Sequence, residues 1–168
     1  MYFWTATIND WMHLLRTDDF KKIIIDSFNY LHAQELMKFY ALVIMPNHIH
    51  VVMKPMKMNG KEKPHVSFLK HTAHQFQKKL KFSNLDELDK YAITASNKKH
   101  EFWQRDAFAF ELKNRETAMQ KINYIHNNPI KENWKLCNYP EEYQYSSAKF
   151  YLLNESEFSF LTHIFDEM

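Results

Sequence analysis

This 168-residue chain has one glycine, Gly60, and one cysteine, Cys137. A single glycine excludes the glycine-rich loops that cradle phosphates in Walker-type and dinucleotide-binding proteins. A single cysteine allows neither an internal disulfide nor a cysteine-based zinc cluster, as expected for a chain kept in a reducing cytoplasm. No apolar run approaches the roughly 20 residues that a membrane helix needs. The N-terminus lacks a basic segment followed by an apolar one, so no signal peptide is expected. What the chain does have is apolar and aromatic mass: 45% hydrophobic residues, with 14 Phe, 9 Tyr and 4 Trp. That is enough for a real core, and the length fits one domain spanning residues 1–168.

The net charge of +2 hides an asymmetry. Between positions 54 and 81 the chain carries eight lysines (Lys54, Lys57, Lys61, Lys63, Lys70, Lys78, Lys79 and Lys81) against one acid, Glu62. Positions 141–168 carry six acids against Lys149. The basic block also contains His65, His71, His74, Phe68 and Phe76. A lysine-rich surface interleaved with aromatics suits a phosphate backbone; the plainer reading is a solvated helix face.

Periodicity orders the elements. Tyr2 to Ile8 is aromatic and β-branched and reads as a strand. Thr17-Asp18-Asp19 offers an N-cap with acids in the first turn. Phe20, Ile23, Ile24, Phe28 and Leu31 then follow at helical spacing, which predicts a helix over about 18–35. Lys38 to Ile44 and Asn47 to Met53 read as two strands, and a second helical stripe begins near His65. Residues 82–100 carry no clear pattern. Phe102 to Leu112 reads as a fourth strand, and a third helix starts at Asn114-Arg115-Glu116-Thr117 and stops near Pro129. The tail from Tyr139 is aromatic and acidic, with Tyr145-Ser146-Ser147-Ala148 as a turn or short helix. The order β-α-β-β-α-β-α predicts an α+β fold: a ferredoxin-like split βαβ, with an antiparallel sheet, helices on one face and a further helix after it.

The chemistry concentrates in two places. Met45-Pro46-Asn47-His48-Ile49-His50-Val51-Val52 puts two histidines two apart in a strand-like run. Residues i and i+2 of a strand share a face, so His48 and His50 project side by side at a spacing that suits one metal ion. In the third helix, Tyr124 and Asn128 are i and i+4 and share a face. The histidines with the Asn128 carbonyl oxygen would hold a divalent cation. That cation would polarise a phosphate for attack by the Tyr124 oxygen, a weak nucleophile without such help.

These residues resemble a known family. Met-Pro-Asn-His-Ile-His-Val-Val is similar to the His-hydrophobic-His motif of single-tyrosine HUH transposases. Phe102-Trp103-Gln104-Arg105, Tyr124-Ile125-His126-Asn127-Asn128-Pro129-Ile130-Lys131 and Tyr145-Ser146-Ser147-Ala148 resemble later motifs of the same proteins, in the same order. The resemblance runs over about residues 2–151 and is greatest to REP-associated tyrosine transposases and their insertion-sequence relatives. It implies the HUH endonuclease fold, with Tyr124 as nucleophile and His48, His50 and Asn128 as ligands of Mg²⁺ or Mn²⁺. It also implies cleavage of single-stranded or hairpin DNA through a 5′-phosphotyrosine intermediate. Insertion-sequence relatives act as homodimers and REP-associated ones can act as monomers, so a dimer with Tyr124 serving its partner's histidines is open. Lys54, Lys57, Lys70, Lys78 and Lys79 are the expected DNA-contacting lysines. Trp103 and Arg105 either touch DNA, by stacking and phosphate contact, or pack the sheet edge.

Other readings remain open at this point. Tyr124 fits a core tyrosine and Asn128 a helix cap. His126, about 200° from Tyr124 around the helix, is expected to pack or touch DNA rather than bind metal. A DNA-binding regulator of the same fold without cleavage is the second functional reading. A zinc hydrolase using His48 and His50 is the third, and it lacks an obvious further ligand.

Overall fold

The computed structural model describes residues 1–94, 99–105 and 107–167. Strand β1 (Tyr2–Thr7) leads to helix α1 (Asp18–Ala33), which returns the chain to a hairpin of β2 (Met37–Ile44) and β3 (His48–Pro55). Helix α2 (Pro64–Ser83) and the short α3 (Leu85–Asp89) follow, then β4 (Phe108–Glu111), α4 (Arg115–His126) and α5 (Ala148–Leu153). The strands form one sheet in the order β2-β3-β1-β4, with every pair antiparallel. This is the split βαβ arrangement that the element order predicts, and it places β3 and β1 at the centre.

The sheet is apolar on both faces, which is why its strands read as nearly continuous hydrophobic runs. Trp4, Ala6, Ile49, Val51 and Met53 point to one side, against Ile24 and Phe28 of α1 and Phe68 and Phe76 of α2. Phe28 anchors this layer, stacked on Phe68 at 4.9 Å and tilted against Phe39 at 4.7 Å between ring centroids. Phe3, Val43 and Val52 point to the other side, where they meet Ala118, Ile122 and Ile125 of α4. Helices therefore lie on both faces: the ferredoxin-like pair covers one, and α4 packs on the other.

The outer edge of β2 is closed by the chain's last third. Ile44 N–H donates to the Tyr145 carbonyl and Ser147 N–H to that of Leu42 (both 2.9 Å), while Phe39 pairs with Leu161. Phe158 and Phe160 are buried in the first layer and Ile164 in the second. Hydrogen bonding along an edge and burial on both sides explain an aromatic tail without strand periodicity.

Two expected elements differ. The fourth strand occupies only Phe108–Glu111, because Phe102 and Trp103 are buried in the core and Trp103 meets the sheet only through a single bridge to Ile8. Within the patternless stretch 82–100, α3 forms at Leu85–Asp89, capped by Asn84 Oδ1 accepting from Glu87 N–H at 3.0 Å.

Candidate active site

The β2–β3 turn is tied down on three sides. Met45 N–H donates to the His48 carbonyl, Ile8 N–H to that of Asn47 and Leu15 N–H to that of Pro46, at 2.8–2.9 Å. His48 and His50 leave this turn with Val52 toward the α4 face, and their rings meet edge-on at 4.6 Å. Each ring is held through Nδ1. Asn47 donates its Nδ2 to the Trp11 carbonyl (3.2 Å), which turns its Oδ1 toward His48 Nδ1 at 2.6 Å. An amide oxygen only accepts, so His48 Nδ1 carries the proton and Nε2 the lone pair. His50 Nδ1 meets Thr5 Oγ1 at 2.7 Å, Thr5 being its register partner on β1. With the hydroxyl accepting, Nε2 of His50 also presents its lone pair. Burial, then the nearby Lys131 charge, pulls the His48 pKa down to about 4. Burial, then His48, Lys131 and Lys121, pulls His50 to about 3. Both imidazoles are neutral near pH 7, the form that binds metals.

Helix α4 supplies the rest. Asn114 caps it, accepting from Thr117 N–H at 2.9 Å. Seating Ala118, Ile122 and Ile125 on the sheet leaves Tyr124 on the helix flank, 43% exposed. Its ring lies 5.4 Å from His50 and 6.1 Å, edge-on, from Phe3. The helix ends at His126, ahead of Pro129. Asn128 is buried and donates Nδ2 to the Tyr124 carbonyl at 3.1 Å, so its Oδ1 faces away and accepts from Lys131 Nζ at 3.1 Å. Asn128 thus caps the helix with one end of its amide and offers an oxygen with the other. The Lys131 ammonium also sits 4.0 Å from the Tyr124 ring centroid, and that of Lys121 5.8 Å from it. One cleft of about 440 Å³ has Thr5, His48, His50, Tyr124, Asn128 and Lys131 among its lining residues. Ligand sites of this order are common.

His48, His50, Tyr124 and Asn128 are therefore brought together by two segments, β3 and α4 with the turn that follows it. The expected lysines are not. Lys70, Lys78 and Lys79 belong to α2, which packs on the opposite face of the sheet. Lys54 lies four residues beyond His50 on β3 and is bonded to Glu167 at 2.6 Å. Lys57 lies 3.7 Å from Glu35, Lys79 2.8 Å from Asp19, and Lys70 is paired with Glu62. Trp103 is buried, donating its indole N–H to Thr72 Oγ1 at 2.9 Å and packing against Phe68 and Phe76. Of its two sequence readings, packing is where the structure places it. Arg105 is exposed and lies 3.2 Å from Glu101. His126, the last residue of α4, is buried, with Nε2 on Ser147 Oγ at 2.9 Å. The sequence reading gave no role to Lys131, Lys121, Asn47 or Thr5. Lys121 lies three residues before Tyr124 on α4, a spacing that does signal a shared helix flank, whereas Lys131 lies beyond the helix end.

Among the described residues no three His, Cys, Asp or Glu side chains converge on one point. The donor set for a cation here is two neutral imidazole nitrogens and one amide oxygen, with no carboxylate. Such a set fits a divalent ion that completes its shell with water and phosphate oxygens, and imidazole ligands favour Mn²⁺ over Mg²⁺.

No family model matches the sequence, and no curated protein matches it. Among solved structures, one described as a REP-associated tyrosine transposase bound to a REP hairpin is similar in fold. The TM-score is 0.60 over 88% of this chain and 75% of that one, at 17% sequence identity. This chain's α+β architecture, with its four-stranded antiparallel sheet, is thus similar in fold to that transposase.

Proposed function

We propose that this protein is a DNA strand transferase that cuts and rejoins single-stranded or hairpin DNA through Tyr124. The observation that carries the reading is the gathering of Tyr124, His48, His50 and Asn128 in one cleft. Similarity of fold to a hairpin-bound tyrosine transposase supports it.

The Tyr124 oxygen attacks the scissile phosphorus as its proton is lost. The bond from phosphorus to the 3′ oxygen breaks, and that oxygen leaves as a 3′-OH after taking up a proton. The 5′ phosphate stays on Tyr124, so the bond energy is kept and no nucleotide cofactor is needed. Attack by a second 3′-OH reverses the chemistry and joins strands. His48 Nε2, His50 Nε2 and Asn128 Oδ1 would hold the Mg²⁺ or Mn²⁺. The bound ion supplies Lewis-acid polarisation of the phosphate. Asn47 and Thr5 hold the imidazoles in place. Lys131 and Lys121 put two positive charges beside the attacking group, where negative charge builds up.

The test is cleavage and joining of labelled hairpin DNA with Mn²⁺, resolved on a denaturing gel. The reading expects a cut strand, a protein-linked label and joined product, all absent in Tyr124→Phe. Cleavage without a protein-linked label would point to water as nucleophile. Binding of every hairpin without cleavage would leave the second reading, a non-cleaving DNA-binding protein of this fold.

A further inference from the structure

Beside the cleft, the sheet face that α4 leaves uncovered carries an exposed aromatic pair. Phe108 and Phe110 lie two apart on β4 and pair in register with Thr5 and Phe3 of β1, so they point to the same side as His50. They are 56% and 42% exposed, on an edge strand where large apolar side chains are a liability unless something uses them. Phe108 meets the Phe3 ring edge-on at 6.4 Å, and Phe3 in turn stacks on His50 at 5.3 Å. Ring contacts thus link β4 through the buried Phe3 to His50. The Lys121 ammonium sits over these rings, 5.1 Å from the Phe3 centroid and 5.6 Å from that of Phe110. Among the described residues no carboxylate pairs with Lys121.

Resting on the strand-transfer reading, we infer that Phe108 and Phe110 are a stacking platform for unpaired bases flanking the cleaved phosphate, with Lys121 holding their backbone. Flat aromatic faces with a cation above them match the alternation of base and phosphate along a single strand. A paired base would hide its face in the stack, so the platform selects unpaired DNA next to the cleft. It also supplies, in another place, the stacking that the sequence suggested for Trp103, whose indole is committed to the core.

The test is fluorescence anisotropy in EDTA, with a hairpin carrying a ten-nucleotide single-stranded tail and the same hairpin with an abasic tail. Native chain, Phe108→Ala, Phe110→Ala and Phe110→Tyr are compared, all at sites exposed enough to leave the fold intact. Each alanine is expected to weaken binding of the intact tail about 5- to 150-fold, the range for losing one base–aromatic stack. Neither should change binding of the abasic tail, and Phe110→Tyr should bind as the native chain does. Lys121→Gln should lower the slope of log affinity against log salt by about one. Equal loss on both tails, or no loss on either, would overturn the platform while leaving the strand-transfer reading intact. So would self-association of the native chain that Phe108→Ala abolishes without touching DNA affinity. Failure of the native chain to bind or cut any single strand would instead overturn the parent reading, and the platform with it.

Discussion

The amide of Asn128 shows how much one side chain does here. Its nitrogen closes the α4 C-terminus and its oxygen faces the cleft, with Lys131 Nζ on that oxygen at 3.1 Å. An ammonium there competes with a divalent ion for the same atom. Lys131→Met should therefore bind Mn²⁺ more tightly, by about tenfold, or roughly 1.4 kcal/mol, and form the DNA adduct more slowly. Calorimetry with Mn²⁺ alone reads the first effect and single-turnover kinetics the second; weaker Mn²⁺ binding would contradict the competition. Asn47 should behave in the opposite sense. Asn47→Ala frees His48 Nδ1 and should cost about 10- to 100-fold in Mn²⁺ affinity, the usual penalty for losing a group that orients a ligand. Unchanged affinity would show that the ring is oriented without it. His48, His50, Tyr124 and Asn128 were legible in the sequence because strand and helix spacing alone put each pair on one face. Lys131 was not, because the chain leaves the helix at Asn127 and only the turn around Pro129 carries the lysine back over Tyr124.

Among the elements, β2 and β4 are opposite solutions to the same edge problem. β2 is covered, and Ser147 is the staple: its Oγ accepts from Leu42 N–H at 2.9 Å, donates to the Leu42 carbonyl at 3.2 Å and meets His126 Nε2 at 2.9 Å. A hydroxyl has one proton, so His126 must donate, which fixes its tautomer. Ser147→Ala should cost about 1–3 kcal/mol by leaving buried polar groups unpaired. Urea unfolding would show this, and a loss below ~0.5 kcal/mol would mean that the staple is replaceable. The sequence reading recognised Tyr145-Ser146-Ser147-Ala148 as a motif without its job, because bonding to a strand 105 positions away leaves no local pattern. The fourth strand read too long for a related reason: Phe102 and Trp103 have strand-like composition but spend it on the core.

At the scale of the molecule, the sheet divides two functions that the sequence mixed. One face carries the α1–α2 core with the α2 lysines on its outside; the other carries the cleft and the exposed phenylalanines. Composition showed a basic block but could not show which side of the sheet it would occupy, and that depends on topology. The buried histidines also set a pH response. His126 is pulled by burial down to about 4, and His48 and His50 to about 4 and 3. Unfolded, each binds a proton below about pH 6.5 that the folded form refuses. Stability is therefore complete above that pH and falls as pH drops toward the folded values, by up to roughly 1.4 kcal/mol per pH unit for each histidine. Urea midpoints in EDTA at pH 7 and pH 5 measure this directly; equal midpoints would contradict neutral, buried imidazoles.

The central claim is that Tyr124 forms a covalent bond to DNA. The most direct measurement is mass spectrometry of the protein after incubation with single-stranded hairpin DNA and Mn²⁺, followed by nuclease and protease digestion. The account predicts a peptide containing Tyr124 that carries a 5′-phosphonucleotide, absent when His48→Ala or Tyr124→Phe replaces the native chain. A cut strand with the nucleotide on another residue, or on none, would contradict it.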